Sequence, residues 1–231
     1  MPRETFDQEL DKLQDAVLVL ASMVEQAISE SVDALRRQDL EGAKQLIIAD
    51  KGINEKRNAI ENDALLLVAT QQPVAGDLRY IASVLEIAAE LERMGDYAKG
   101  IAKITLLIGE EALVKPLVDI PRMAHRVREM IHKSLDAFVK KDVALARAIP
   151  TEDDEVDALY NQVYRELLTI MMSNPRTIDQ ASFLLWAAHN LERTADRVTN
   201  ICERVIFTVT GERVEMGDEA NGLAGGLEEV S

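Results

Sequence analysis

Two pairs of carboxylates stand four residues apart in matching surroundings. Glu92 and Asp96 lie within Leu91-Glu92-Arg93-Met94-Gly95-Asp96, and Glu192 and Asp196 within Leu191-Glu192-Arg193-Thr194-Ala195-Asp196. On a helix, such residues share one face, a turn apart. Exposed acids at that spacing repel by only a few tenths of a kcal/mol, roughly 0.2–0.5, so one pair alone reads as a solvated face. The recurrence opens a second reading. Arg93 and Arg193 flank the pairs, and small residues, Gly95 and Ala195, precede each Asp and permit close approach. A second set recurs as well: Asp153 and Asp157 are four apart, and Asp50 and Asn54 hold the equivalent places. If the helices carrying the two sets are neighbours, their oxygens converge. A cluster of hard oxygen ligands suits Mg²⁺, Ca²⁺, Mn²⁺ or iron, and a cation relieves the like-charge repulsion.

Other reactive residue types offer less. His189 precedes Glu192 by three and is within reach of the same acids, but the first copy has Ala89 there. His125 and His132, seven apart, share a face at a partly exposed boundary. The di-iron pattern Glu-x-x-His is absent. Cys202 falls on an apolar stripe and reads as a packed residue, and Trp186 as core or interface. No glycine-rich phosphate loop, Ser/His/Asp arrangement or CxxC occurs, so nothing argues for an enzyme.

The helices that must position these residues follow from apolar spacing. Leu10, Leu13, Val17, Leu20, Val24, Ala27 and Val32 recur mainly at three and four, which predicts a helix over about Thr5 to Arg37. Asp39 caps a second helix that runs to about Thr70 and stops at Gln71-Gln72-Pro73. A third runs from Gly76 or Asp77 to Ile108, with Gly109 ending it. Its core stripe is Leu91, Met94, Ala98 and Ile101. After Lys115-Pro116, Asp119 caps a fourth helix with Pro121 in its first turn. That helix reaches Lys141, a fifth runs from Asp142 to the Asn174-Pro175 break, and a sixth runs from about Asp179 to Thr210. Helices of about 30 residues are about 45 Å long.

The plan is a tandem repeat. Ser31-Val32-Asp33-Ala34-Leu35 through Asp39 matches Ser134-Leu135-Asp136-Ala137-Phe138 through Asp142 at an offset of 103, as Asp50, Ile53 and Asn54 match Asp153, Val156 and Asp157. The Leu-Glu-Arg segments match at an offset of 100. The expected fold is all-α, two three-helix bundles: 1–112, 113–211, and an acidic tail over 212–231 (with Gly225-Gly226) expected to be disordered. Net charge is −15 and pI about 4.7, which disfavours nucleic acid as a partner. A single cysteine excludes an internal disulfide. Glu4 and Asp7 stand where a signal peptide needs an apolar run, and the apolar stretch Ala64 to Ala69 is too short to span a bilayer, so a cytoplasmic protein is expected.

Doubled Leu-Glu-Arg-x-x-Asp within tandem three-helix repeats closely resembles the PhoU family of phosphate-transport regulators, over about residues 5–210. The resemblance implies a cytoplasmic, non-enzymatic negative regulator of the phosphate regulon, commonly a homodimer. Its implied partners are the ATPase subunit of the phosphate-specific ABC transporter and a sensor histidine kinase, which alone would bring it to the membrane. It further implies divalent or ferric metal (iron, Mg, Mn or Zn) bound through Glu92 and Asp96, Glu192 and Asp196, Asp50 and Asn54, and Asp153 and Asp157. Asn54 departs from the acidic pattern, which implies weaker binding in the first half. The alternative from another class is a carboxylate-bridged metal-dependent enzyme or metal-storage protein.

Overall fold

The computed structural model describes residues 3–216, and among these all regular structure is helical. The first half comprises α1 (Arg3–Arg37), α2 (Leu40–Gln71) and α3 (Ala75–Ile108). The second comprises α4 (Asp119–Lys140), α5 (Val143–Ala148), α6 (Asp153–Ser173) and α7 (Ile178–Thr210). The fold is thus all-α, with six long helical positions, the fifth of them interrupted. A single helix was expected from Asp142 to Asn174; instead a 3₁₀ turn, Ile149–Glu152, separates α5 from α6. Pro150 is the cause, since it lacks an N–H and its ring crowds the preceding turn. The break makes Asp153 the first residue of α6.

The turn between the first two helices of each half is built twice in the same way. Gln38 and Lys141 adopt left-handed backbone conformations, with φ of 55° and 53°. Asp39 Oδ1 then accepts from the Gly42 N–H at 2.8 Å, and Asp142 Oδ1 from the Leu145 N–H at 3.0 Å. Each aspartate satisfies one of the amides that a helix start leaves unpaired. Asp119 differs from expectation. It is the first residue of α4, not its cap, and is buried; its carboxylate meets Arg122 Nη1 and Gln162 Nε2, both at 3.3 Å, tying α4 to α6.

Apolar residues at helical spacing line the core. Leu20, Val24 and Ile28 of α1 are fully buried, as are Met123, Val127 and Ile131 at the matching places on α4. The stripe predicted on α3 is buried, and so is its match on α7, including Cys202. The two halves pack directly on one another. Tyr80 of α3 stacks on Phe138 of α4 at 5.4 Å between centroids, and α3 runs antiparallel to α7. Pairs along that seam fix its direction: Ser83 with Thr208 (2.7 Å), Glu90 with Arg197 (3.5 Å), and Gly100 against Asn190.

Three side chains are more exposed than the spacing suggested. Trp186 is 57% exposed and meets Phe183 edge-on. His125 and His132 face solvent beside Glu129 and Glu25. Past Gly211, the Met216 N–H donates to Glu203 at 2.8 Å. The rest of the tail, where disorder was expected, lies outside the described residues.

Candidate cation sites

Each acidic set is assembled across the second and third long helical positions of its half. In the first half α2 contributes Asp50 and Asn54, and α3 contributes Glu92 and Asp96. Asp50 is 6% exposed. Lys99, one turn beyond Asp96, donates to Asp50 Oδ2 at 2.6 Å and to Asp96 Oδ1 at 3.5 Å. Asn54 Nδ2 donates to the same Asp50 oxygen at 3.1 Å. The hydrogen bond to Asp50 raises the Lys99 pKa, so the ammonium is firmly charged. Burial, then Asp96, pushes the Glu92 pKa up, while Arg57 of α2 pulls it down.

In the second half α6 contributes Asp153 and Asp157, and α7 contributes Glu192 and Asp196. Burial pushes the Asp153 pKa up to about 7, reinforced by Asp157, Asp196 and Glu192. Asp157 is raised by burial and by Asp196. Glu192 is raised by burial and Asp196, with His189 opposing. His189 Nδ1 stands 3.0 Å from Glu192 Oε2, out of line for a hydrogen bond. That oxygen and Asp153 Oδ1 are buried with no hydrogen bond. Arg193 lies 3.8 Å from Asp196, and its interaction with Tyr97 of α3, beside the first acidic pair, raises its pKa.

The halves therefore differ in their counter-ions. At the offsets of 103 and 100, Arg57, Asn54 and Lys99 correspond to Tyr160, Asp157 and Thr199. The first set has three acids with Lys99 in direct contact and Arg57 and Arg93 nearby on the same helices. The second has four acids with Arg193 3.8 Å from Asp196, but no counterpart of Lys99 or Arg57. Among the described residues, no three His, Cys, Asp or Glu side chains are gathered as a formed metal site. The second set's orphaned buried oxygens and all-oxygen donors nevertheless fit a hard cation. Lys99 and Arg57 escaped the sequence reading. The signal was present in the comparison of Lys99 with Thr199.

The family model described as "PhoU domain" matches this chain twice, over residues 7–105 and 120–205. The phosphate-specific transport system accessory protein PhoU homolog of Clostridium acetobutylicum is 37% identical over 94% of this chain and 100% of its own length. The Escherichia coli PhoU accessory protein is 35% identical over 96% of this chain and 92% of its own. Crystal structures superpose closely. The phosphate transport system regulatory protein PhoU from Streptococcus pneumoniae gives a TM-score of 0.85 at 33% identity, covering 91% of this chain and 100% of that one. PhoU from Pseudomonas aeruginosa gives 0.84 at 34%, covering 90% and 100%.

Proposed function

This chain belongs to the PhoU family, and from that membership we propose that it is a negative regulator of phosphate uptake and of the phosphate regulon. In this reading it acts without catalysis, in the cytoplasm, as a homodimeric adaptor. Its partners are the ATPase subunit of a phosphate-specific ABC transporter and a sensor histidine kinase. The names and full-length coverage of its relatives support the phosphate-transport context.

The adaptor part draws on exposed apolar side chains along the helices. Tyr164, Leu168 and Met172 lie four apart on α6, so they share one face, and all three are exposed. Such a stripe suits docking against another protein, where buried apolar area drives association.

The cation belongs to the second-half set. The observation that carries this is the quartet of Asp153, Asp157, Glu192 and Asp196, which has no counterpart of Lys99 and leaves two buried oxygens without a hydrogen bond. A bound divalent or ferric ion supplies positive charge there and stiffens the α6–α7 contact. The four side chains offer oxygen ligands, and Arg193 holds Asp196 beside the seam with α3. The first set (Asp50, Asn54, Glu92 and Asp96) binds more weakly because Asn54 brings no charge and Lys99 already pairs with Asp50 and Asp96.

Retention from membranes tests the adaptor. Purified protein should hold back the transporter ATPase or the kinase, and neither being retained would count against it. Deleting the gene should derepress phosphate-starvation genes in rich phosphate. Glu192→Ala with Asp196→Ala should lower bound metal; unchanged stoichiometry would remove the site.

A further inference from the structure

The first half contains a pocket that the second half has filled. It is a recess of about 170 Å³ between α1, α2 and α3, lined by Met23, Ala27, Leu46, Asp50, Ala98 and Lys99 among others. At the repeat offsets, Ala27 and Ala98 correspond to Met130 and Val198. Both of the larger side chains are buried, so in the second half they occupy the volume that is open in the first. The mouth differs too. Glu30 and Ala49 correspond to Lys133 and Glu152, and that pair closes the position with an ion pair at 2.7 Å. In the first half Glu30 is exposed at the rim and accepts from Gln26 Nε2 at 2.8 Å.

A buried acceptor marks what the recess takes. Asp50 lines it and is 6% exposed; Oδ2 receives Lys99 and Asn54, but Oδ1 is buried without a partner. Leaving such an oxygen unsatisfied costs about 1–3 kcal/mol, so an occupant that donates to it is favoured. The lining carries two carboxylates, Asp50 and Glu30, against the one ammonium of Lys99, and this favours a cation. Met23, Ala27, Leu46 and Ala98 give apolar walls for a short carbon stem.

We propose that this pocket binds a small organic cation, an ammonium group on a short alkyl or aryl stem. The ammonium donates to the free oxygen of Asp50, within the field of Glu30. The stem lies against Met23, Ala27 and Ala98. The site shares Asp50 with the first acidic set, so a metal bound there and the organic cation compete.

Benzylammonium is the probe, titrated into the full chain in the presence of a chelator and followed by methyl NMR. The expected result is saturable shifts at Met23, Ala27 and Ala98, with Kd of about 1 mM or tighter. Benzyl alcohol should bind at least about tenfold more weakly, and Glu30→Gln should weaken benzylammonium by a similar factor. Ala27→Met with Ala98→Val, which installs the second half's own residues, should abolish the shift at Met23 while the circular dichroism is kept. If the double variant fails to fold, Ala27→Met alone serves. Absence of saturable shifts, equal binding of benzyl alcohol, or unchanged binding in the filled variant would each overturn the proposal.

Discussion

Lys99 Nζ lies 2.6 Å from the buried Asp50 Oδ2, and the matching place on α7 is taken by Thr199. The first acidic set thus carries an ammonium in contact with Asp50, for which the second set has no counterpart. Removing one partner of a buried pair costs about 3–5 kcal/mol. Lys99 is about a quarter exposed, which reduces the figure. Lys99→Thr, which puts the second half's residue at this position, should destabilise the protein by about 2 kcal/mol in denaturant titrations. It should also raise Mn²⁺ stoichiometry by one acidic set in calorimetry. An unchanged stoichiometry would mean that Lys99 does not exclude a cation from the first set.

Asp153 gives the cation-free protein a definite pH dependence. Its pKa is about 7 in the fold, above the ordinary aspartate value of 3.8, so between these the folded state binds more protons than the unfolded. Stability then falls as pH rises through that window and is unaffected by this group below it. The full shift corresponds to about 4 kcal/mol; partial exposure reduces this to about 1–2. Asp153→Asn should therefore stabilise the protein by about 1 kcal/mol at pH 8 and by almost nothing at pH 4. Thermal melts in chelator across that range decide it. A gain equal at both ends would trace the effect to something other than this carboxylate.

What could be read in the residues was whatever repeats locally. Apolar spacing of three and four placed the helices, because each buried stripe is a property of its own segment. The doubled Asp39/Asp142 caps and the Ser31/Ser134 segments exposed the repeat for the same reason. Both serines donate back to carbonyls three residues earlier, those of Ile28 and Ile131. What escaped depends mostly on partners on other helices. Lys99 meets Asp50 across 49 residues, and Asp119 gives up capping because Gln162 and Arg122 claim its oxygens. Pro150 was in plain view, but the apolar pattern continues through it, and periodicity alone does not register a lost N–H. The acids Glu92, Asp96, Glu192 and Asp196 are legible as pairs. Which half holds a lysine against its buried aspartate is not, until the helices are set side by side.

Cys202 should be unreactive in the native protein. It is fully buried on α7, and burial pushes its pKa up to about 12. The thiolate is the nucleophile, and almost none exists at neutral pH under these conditions. A disulfide-exchange reagent should label it only through unfolding, so labelling should accelerate in step with denaturant. Rapid stoichiometric labelling in native buffer would mean that α7 opens locally.

Phe138 tests whether the halves fold as one. It is buried in the second half and stacked on Tyr80 of the first, so its truncation empties the seam that joins them. Phe138→Ala should cost about 3–5 kcal/mol, a large part of the roughly 5–15 kcal/mol that holds a typical domain together. If the shared core makes folding cooperative, hydrogen exchange should speed up equally for the slowest amides of α1–α3 and of α4–α7. Protection lost only in α4–α7 would mean that the first half stands on its own core, with the Tyr80–Phe138 stack merely docking one bundle on the other.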